Sequence, residues 1–156
     1  MNAVLLVLSP QSLPVRAVQR ALALAKQSQA ALFAVLVLPA RHLEALAGQL
    51  IDSGFVGEKL SEDVIEHVRR EQLAMAEEVF RLVREAAARE GVEVVTEVVE
   101  GELGDACEWA LTHASSIVRA VVPVPARAWF ERFWRKSESL DWAQDLGCEV
   151  EQVEER

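Results

Sequence analysis

The chain opens on an unbroken apolar run, Ala3 to Leu8, closed by Ser9-Pro10. A short continuous run of this kind, with no polar residue at alternate positions, is the pattern of a strand covered on both faces. The period then changes. Val15, Val18, Leu22 and Ala25 recur at helical spacing as far as about Ser28, with Ser12 as a cap candidate and Pro14 as an early-helix proline. Leu32 to Leu38 repeats the buried-strand pattern and stops at Pro39, which cannot donate to a sheet ladder. Strand, helix and strand in this order form a parallel crossover, which is right-handed almost without exception.

Residues 40–60 carry two conflicting signals. Leu43, Leu46, Leu50 and Ile51 suggest a short helix, while Gly48, Gly54 and Gly57 argue for a mobile connection, so the segment is read as a helical turn within a flexible insertion. From Ser61, an N-cap followed by Glu62 and Asp63, a long helix is predicted to run to about Glu90 and stop at Gly91. Its expected apolar face is Ile65, Val68, Met75, Val79, Val83 and Ala86, with Glu66/Arg70, Glu77/Arg81 and Glu85/Arg89 as solvated i,i+4 pairs. Val92 to Val99 alternates Val with Glu and Thr, the pattern of a strand with one less buried face, and Gly101 opens a short helix from about Leu103 to His113.

Ile117 to Val122 reads as the next strand, although Arg119 inside it is unexpected. Trp129 to Leu146 is mainly helical in pattern, and Glu149 to Val153 reads as a final strand whose charges suit an edge. Five strands alternating with helices predict a doubly wound parallel sheet in a three-layer α/β/α sandwich, residues 1–156 forming one domain.

Composition narrows the function classes. A chain of 156 residues can bury a sufficient core without disulfides or a structural metal, and a content of 51% hydrophobic and 26% charged residues is globular. A net charge of -9 offers no broad attraction for nucleic acid or anionic membrane, so neither is expected as a partner. The N-terminal run lacks a basic n-region and leads into a helix signal, which points to a strand rather than a signal peptide and to the cytoplasm. Cys107 and Cys148 are too few and too far apart for a disulfide scaffold or a CxxC site, and His42, His67 and His113 show no paired-ligand spacing. No metal site is expected.

The order of elements and several local phrases together resemble the universal stress protein family over nearly the whole chain. The phrases are Val4-Leu5-Leu6-Val7-Leu8 before a helix, Ala21-Leu22-Ala23-Leu24-Ala25, the strand Leu32 to Leu38, Arg89-Glu90-Gly91-Val92-Glu93-Val94, the turn Val99-Glu100-Gly101-Glu102 and the helix-strand ending. The resemblance implies an adenine nucleotide alpha hydrolase-like fold of five parallel strands, usually dimeric, in which some members bind ATP and others do not. ATP-binding members carry an Asp after the first strand, use backbone near the end of the second strand, and place a G-x2-G-x9-G-[ST] motif after the fourth. Here Ser9 stands at the Asp position with Pro10 after it, and Val37 matches the second-strand position. Pro123, Ala126 and Lys136 fall where the three glycines belong, followed by a fitting Ser137.

Backbone N–H groups cradle phosphate only where the loop can take positive φ and let the ligand approach closely, which glycine permits. Pro123 and Pro125 have no N–H and hold φ near -65°. Lys136 adds a long side chain, and Ser9 removes a carboxylate. Shifting the register does not restore the motif, since no glycine lies between Gly104 and Gly147. ATP is therefore not expected as a cofactor.

The replaced loop leads into an aromatic and basic segment. Trp129/Phe133 and Phe130/Trp134 are i,i+4 pairs, accompanied by Arg127, Arg132, Arg135 and Lys136. Three readings stand: the aromatics fill the vacated cleft, they anchor a protein interface, or the segment meets a membrane surface or an anionic ligand. Trp142 continues whichever face is buried.

Arg119 is expected at a sheet end with its head in solvent, and Cys107 in the core beside Leu103, Ala110 and Leu111. Glu149, Glu151, Glu154 and Glu155 are read as a solvated edge, which disfavours the family's pairing of last strands between subunits. No Ser-His-Asp order, Cys-His pair, Walker loop or paired acid appears, so no enzyme is expected. The sequence points to a universal-stress-like homodimer working through protein contacts in stress response or regulation, with a sensor of another small ligand in the same cleft as the alternative.

Overall fold

In a computed structural model, which describes residues 1–9, 13–38, 58–124 and 147–154, strands and helices alternate as far as the fourth strand. They are β1 (Asn2–Leu8), α1 (Val15–Ser28), β2 (Ala31–Leu38), α2 (Glu58–Glu90), β3 (Val94–Glu100), α3 (Leu103–His113), β4 (Ser116–Val124) and β5 (Glu149–Glu154). The strands form one sheet in the order β3-β2-β1-β4-β5, and every pairing is parallel. β1 and β2 lie in its middle, which is why their apolar runs are continuous: residues 3–8 and the whole of β2 are buried.

Alternation of side chains along the strands divides the interior into two cores. Val4, Leu6 and Leu8 of β1, with Leu32, Leu36 and Leu38 of β2, meet α1 and α2. Ala3, Leu5 and Val7, with Phe33, Val35 and Val37, meet α3 through Ala106, Cys107 and Ala110. Helices therefore lie on both faces of the sheet, giving the three layers expected of the sequence.

The long helix departs from its sequence reading in three ways. It starts at Glu58, so Ser61 lies inside it and the last three positions of the 40–60 insertion are helical, the rest of that segment lying outside the described residues. Gly57 is the last residue before it that opposes a helix. Its buried stripe is Ala76, Val79, Phe80, Val83 and Ala87, while Met75, one position out of phase, is 45% exposed. Of the expected charge pairs Glu66–Arg70 forms, whereas Arg81 turns to Glu78 and Glu85. At ~1.5 Å per residue, this 33-residue helix is about 50 Å long, twice the length of the strands it covers, and among its described side chains the buried ones lie in its second half.

At the start of α1, Pro14 occupies the cap position rather than the first turn, with no side-chain cap. Ser12 lies outside the described residues. β4 contains a bulge: Ala3 pairs with Ile117 but Val4 pairs with Arg119, leaving Val118 unpaired and 38% exposed. The extra residue resets the alternation, so that Ile117 faces the α3 core while Arg119, beside Val4, faces the α1 side. This explains how a charge enters an interior strand.

Candidate functional site

In an open parallel sheet, ligands bind beyond the carboxyl ends of the strands, where successive crossovers leave on opposite faces. Here that point lies between β1 and β4, because α1 and α2 cover one face and α3 the other. The strand ends are staggered there. β1 pairs with β2 only as far as Leu8–Leu36 and with β4 only as far as Leu6–Val121, so β2 and β4 both run past it. The result is a notch at the end of β1.

Three of the sequence-derived positions line up around this notch. Ser9 follows β1 directly and is half-buried. Val37 is the penultimate residue of β2, 4% exposed, with its side chain in the α3 core. Pro123 is buried near the end of β4, beside Val153 of β5 and beyond the last β4 residue paired with β1. A residue without an N–H fits there, since no β1 partner demands a donor. The remaining positions, Ala126, Lys136, Ser137, Trp129, Phe130, Phe133, Trp134, Arg127, Arg132 and Arg135, lie outside the described residues, as do Pro125 and Trp142.

The backbone around the notch is partly committed. Gly101 N–H donates to the Leu38 carbonyl at 2.9 Å, tying the turn after β3 to the end of β2. That turn has positive φ at Gly101 and continues into a capping box in which Glu102 N–H donates to Asp105 Oδ2 at 2.8 Å. On the α2 side, Arg69 lies 3.3 Å from the Glu100 carboxylate. Among the described residues, no group of three or more His, Cys, Asp and Glu could hold a metal ion, and no helix is long and apolar enough to cross a membrane.

The charged groups read as solvated in the sequence are partly paired. Arg20 of α1 meets Glu151 of β5 through two hydrogen bonds of 2.6 and 3.1 Å, and Arg119 meets Glu149 at 3.2 Å. The Arg20 guanidinium holds the Glu151 carboxyl below its usual range. Two of the acids on the edge strand are thus clipped back onto their own subunit, which corrects the expectation of a wholly solvated edge and of a free Arg119 head. Glu154 is exposed, and Glu155 lies outside the described residues.

Cys107 is buried as expected, beside Ala106 and Ala110, but Leu111 is 40% exposed, and the Leu103 side chain lies outside the description. Burial pushes the half-buried Cys148 thiol up. Sequence reasoning missed Trp109, whose ring lies 5.5 Å from Phe33 and stacks on His113 at 4.4 Å. The i,i+4 spacing of Trp109 and His113 was the available signal.

No protein-family model matches the sequence, and no curated protein matches it. Solved structures do. The universal stress protein UspA from Lactobacillus plantarum is similar with a TM-score of 0.64 and 18% identity, over 100% of this chain and 99% of that one. A universal stress protein family member from Burkholderia pseudomallei gives 0.54 at 19% identity, over 97% and 94% of the two chains. A universal stress protein solved in complex with cAMP gives 0.53 at 16% identity, over 98% of each. At these identities the likeness concerns architecture, and it spans nearly the whole of both chains in each comparison: the chain has the fold of the universal stress proteins.

Proposed function

We propose that this is a non-enzymatic, universal-stress-like protein of the cytoplasm that does not bind ATP in the manner implied for the ATP-binding members of the universal stress protein family, and that it acts in stress response or regulation through protein contacts, as a homodimer. The observation that carries the reading is that Ser9, directly after β1, and buried Pro123, near the end of β4, belong to neighbouring strands at the notch. One removes the carboxylate expected to receive ligand hydroxyls, and the other removes a phosphate-binding N–H and the flexibility of glycine. Two losses at the same strand-end crevice, one after β1 and one near the end of β4, oppose the same ligand. The neighbouring Trp129, Phe130, Phe133 and Trp134, with Arg127, Arg132 and Arg135, are of the residue types that anchor protein interfaces.

The test is a titration with ATP and magnesium followed by calorimetry and tryptophan fluorescence. No saturable binding is expected; micromolar saturable binding would refute the reading. A second reading, a sensor of a different small ligand, is favoured by the notch itself and by the cAMP found in one structural relative. Native mass spectrometry of gently purified protein separates the two, because a sensor carries or takes up a ligand and a blocked cleft does neither.

A further inference from the structure

β3 and β5 are the two edges of the sheet, and among the described residues β3 pairs only with β2. Two hydrogen bonds fix the direction of its peptide groups. Leu32 N–H donates to the Glu93 carbonyl and Gly101 N–H to the Leu38 carbonyl, so the odd-numbered residues of β3 bond to β2. Val94, Thr96, Val98 and Glu100 therefore turn their N–H and C=O groups outward. Their side chains lie on the α2 face: Val94 and Val98 pack on the core there, while Thr96 meets Arg84 and Glu100 meets Arg69. A strand with four valines and no proline or lysine is an edge open to further pairing. β5 is a poorer one, because Glu149, Glu151 and Glu154 line it and two of them are clipped to arginines of their own subunit.

The β3 edge complements its own twofold image. In an antiparallel pair, directly opposite residues interact most closely. A twofold axis at Glu97 would set that carboxylate against its copy, and one at Thr96 would bring together the two Arg84 guanidinium groups, each donating to Thr96 at 2.9 Å. An axis at Val98 does neither. It sets Thr96 opposite Glu100 of the second copy, twice, so that each Arg84 reaches a carboxylate. Leu73, 38% exposed, lies about three helical turns from Arg84 on the same flank of α2 and adds apolar area beside this edge. One contact opposes the pairing. Glu97 Oε1 accepts the Val98 N–H at 3.2 Å and so occupies the outward donor at the centre of that register.

We propose that two copies of the chain join antiparallel through their β3 edges about Val98, each Glu97 carboxylate acting as a latch that yields its N–H to the Val98 carbonyl of the other copy. This interface presupposes the homodimer proposed above and gives it a location. Main-chain hydrogen bonds hold the pair, and the Arg84–Glu100 crossings select its register.

Sedimentation equilibrium of the full chain across the micromolar range measures the pairing, and circular dichroism checks the fold of each variant. The parent is expected to dimerise reversibly. Val98→Pro removes a donor that β2 does not use, so it should keep the fold and abolish the dimer. Glu97→Thr should tighten the dimer about tenfold, since two latches are lost per pair. Arg84→Glu and Glu100→Arg should each weaken it about three- to tenfold, and the two together should restore it, a rescue that pairing with any other strand would not show. If Val98→Pro misfolds, the charge exchange decides. A dimer indifferent to Val98→Pro and to the charge exchange would overturn the β3 interface and leave a homodimer formed elsewhere. A chain that stays monomeric in the parent and in Glu97→Thr would overturn both. Dimerisation of Glu97→Thr alone would uphold the latched interface and refute the homodimer reading.

Discussion

Replacing Phe33 with alanine probes how the two faces of the sheet are held together. Phe33 is 1% exposed in the middle of β2, flanked by Leu5 of β1 and Val95 of β3, and its ring meets Trp109 of α3 at 5.5 Å and an interplanar angle of 56°. A buried Phe→Ala change costs about 3–5 kcal/mol, and the upper part of that range applies where neighbours cannot collapse into the space. Here they cannot, since the flanking groups belong to hydrogen-bonded strands on both sides. The loss is about a quarter or more of the ~5–15 kcal/mol that holds a typical domain together. At about 2–4 °C per kcal/mol for a domain of this size, the melting temperature should fall by roughly 8–20 °C.

Urea unfolding followed by far-UV circular dichroism measures the loss, and an unchanged m value would locate it in the folded state. Combining the change with Trp109→Leu should reveal a coupling of about 0.5–1.5 kcal/mol, the worth of an aromatic pair beyond its buried area. A loss below ~1 kcal/mol, or additive effects of the two changes, would refute the view that α3 is anchored to the sheet through this contact.

Two further outcomes follow from contacts at the edges of the fold. Because Arg20 holds the Glu151 carboxyl below its unfolded value, the pair's contribution is complete above that unfolded value and is lost as pH falls through the depressed folded one. In Glu151→Gln, the urea midpoint should therefore depend less on pH between about pH 5 and pH 2, and high salt should reduce the difference from the parent; parallel pH profiles would count against the linkage. Gly101→Ala should destabilise by about 1–3 kcal/mol, because Gly101 has φ +150° and a Cβ there would collide with the Asp105 carboxylate of the capping box. Gly104→Ala, inside α3 with open space around the new methyl, should instead stabilise by roughly 0.5–1 kcal/mol, and thermal unfolding of the two variants compares them.

The architecture was legible because the interior strands are apolar on both faces and the helices are amphipathic, so a change of period marks each boundary. Leu103–His113 appeared with the bounds read from the sequence, and β1, β2 and β5 within a residue. The α2 start was misplaced because Ser61 satisfies the local rule for a cap although nothing before it, back to Gly57, opposes a helix. Met75 was assigned to the buried face because a methionine adds apolar weight to a periodic pattern; small Ala76, carrying less weight, marks the true stripe. Of the candidate site, Ser9 and Val37 lie at the strand ends where the sequence set them, whereas Pro123, read as the start of the loop after a strand ending at Val122, lies inside β4, which runs to Val124 and pairs there with β5. The sequence could not supply the partners of Arg119 or Arg20, because those ion pairs span 30 and 131 positions of the chain. A local pattern has no term for contacts that only the strand order creates.

The bulge at Val118 bears on how this chain compares with others of the same fold. On either side of that residue, opposite parities point into the same core: Ile117 before it and Ala120 and Val122 after it all face α3. A relative with an unbroken fourth strand would carry its apolar and polar letters in the other phase over one half of the strand. Gapless comparison of the two would set outward-facing residues against inward-facing ones just before the loop that most distinguishes this protein. Aligning such chains through the strand calls for a one-residue gap at position 118, a gap that records a change in pleat rather than the loss of a surface turn.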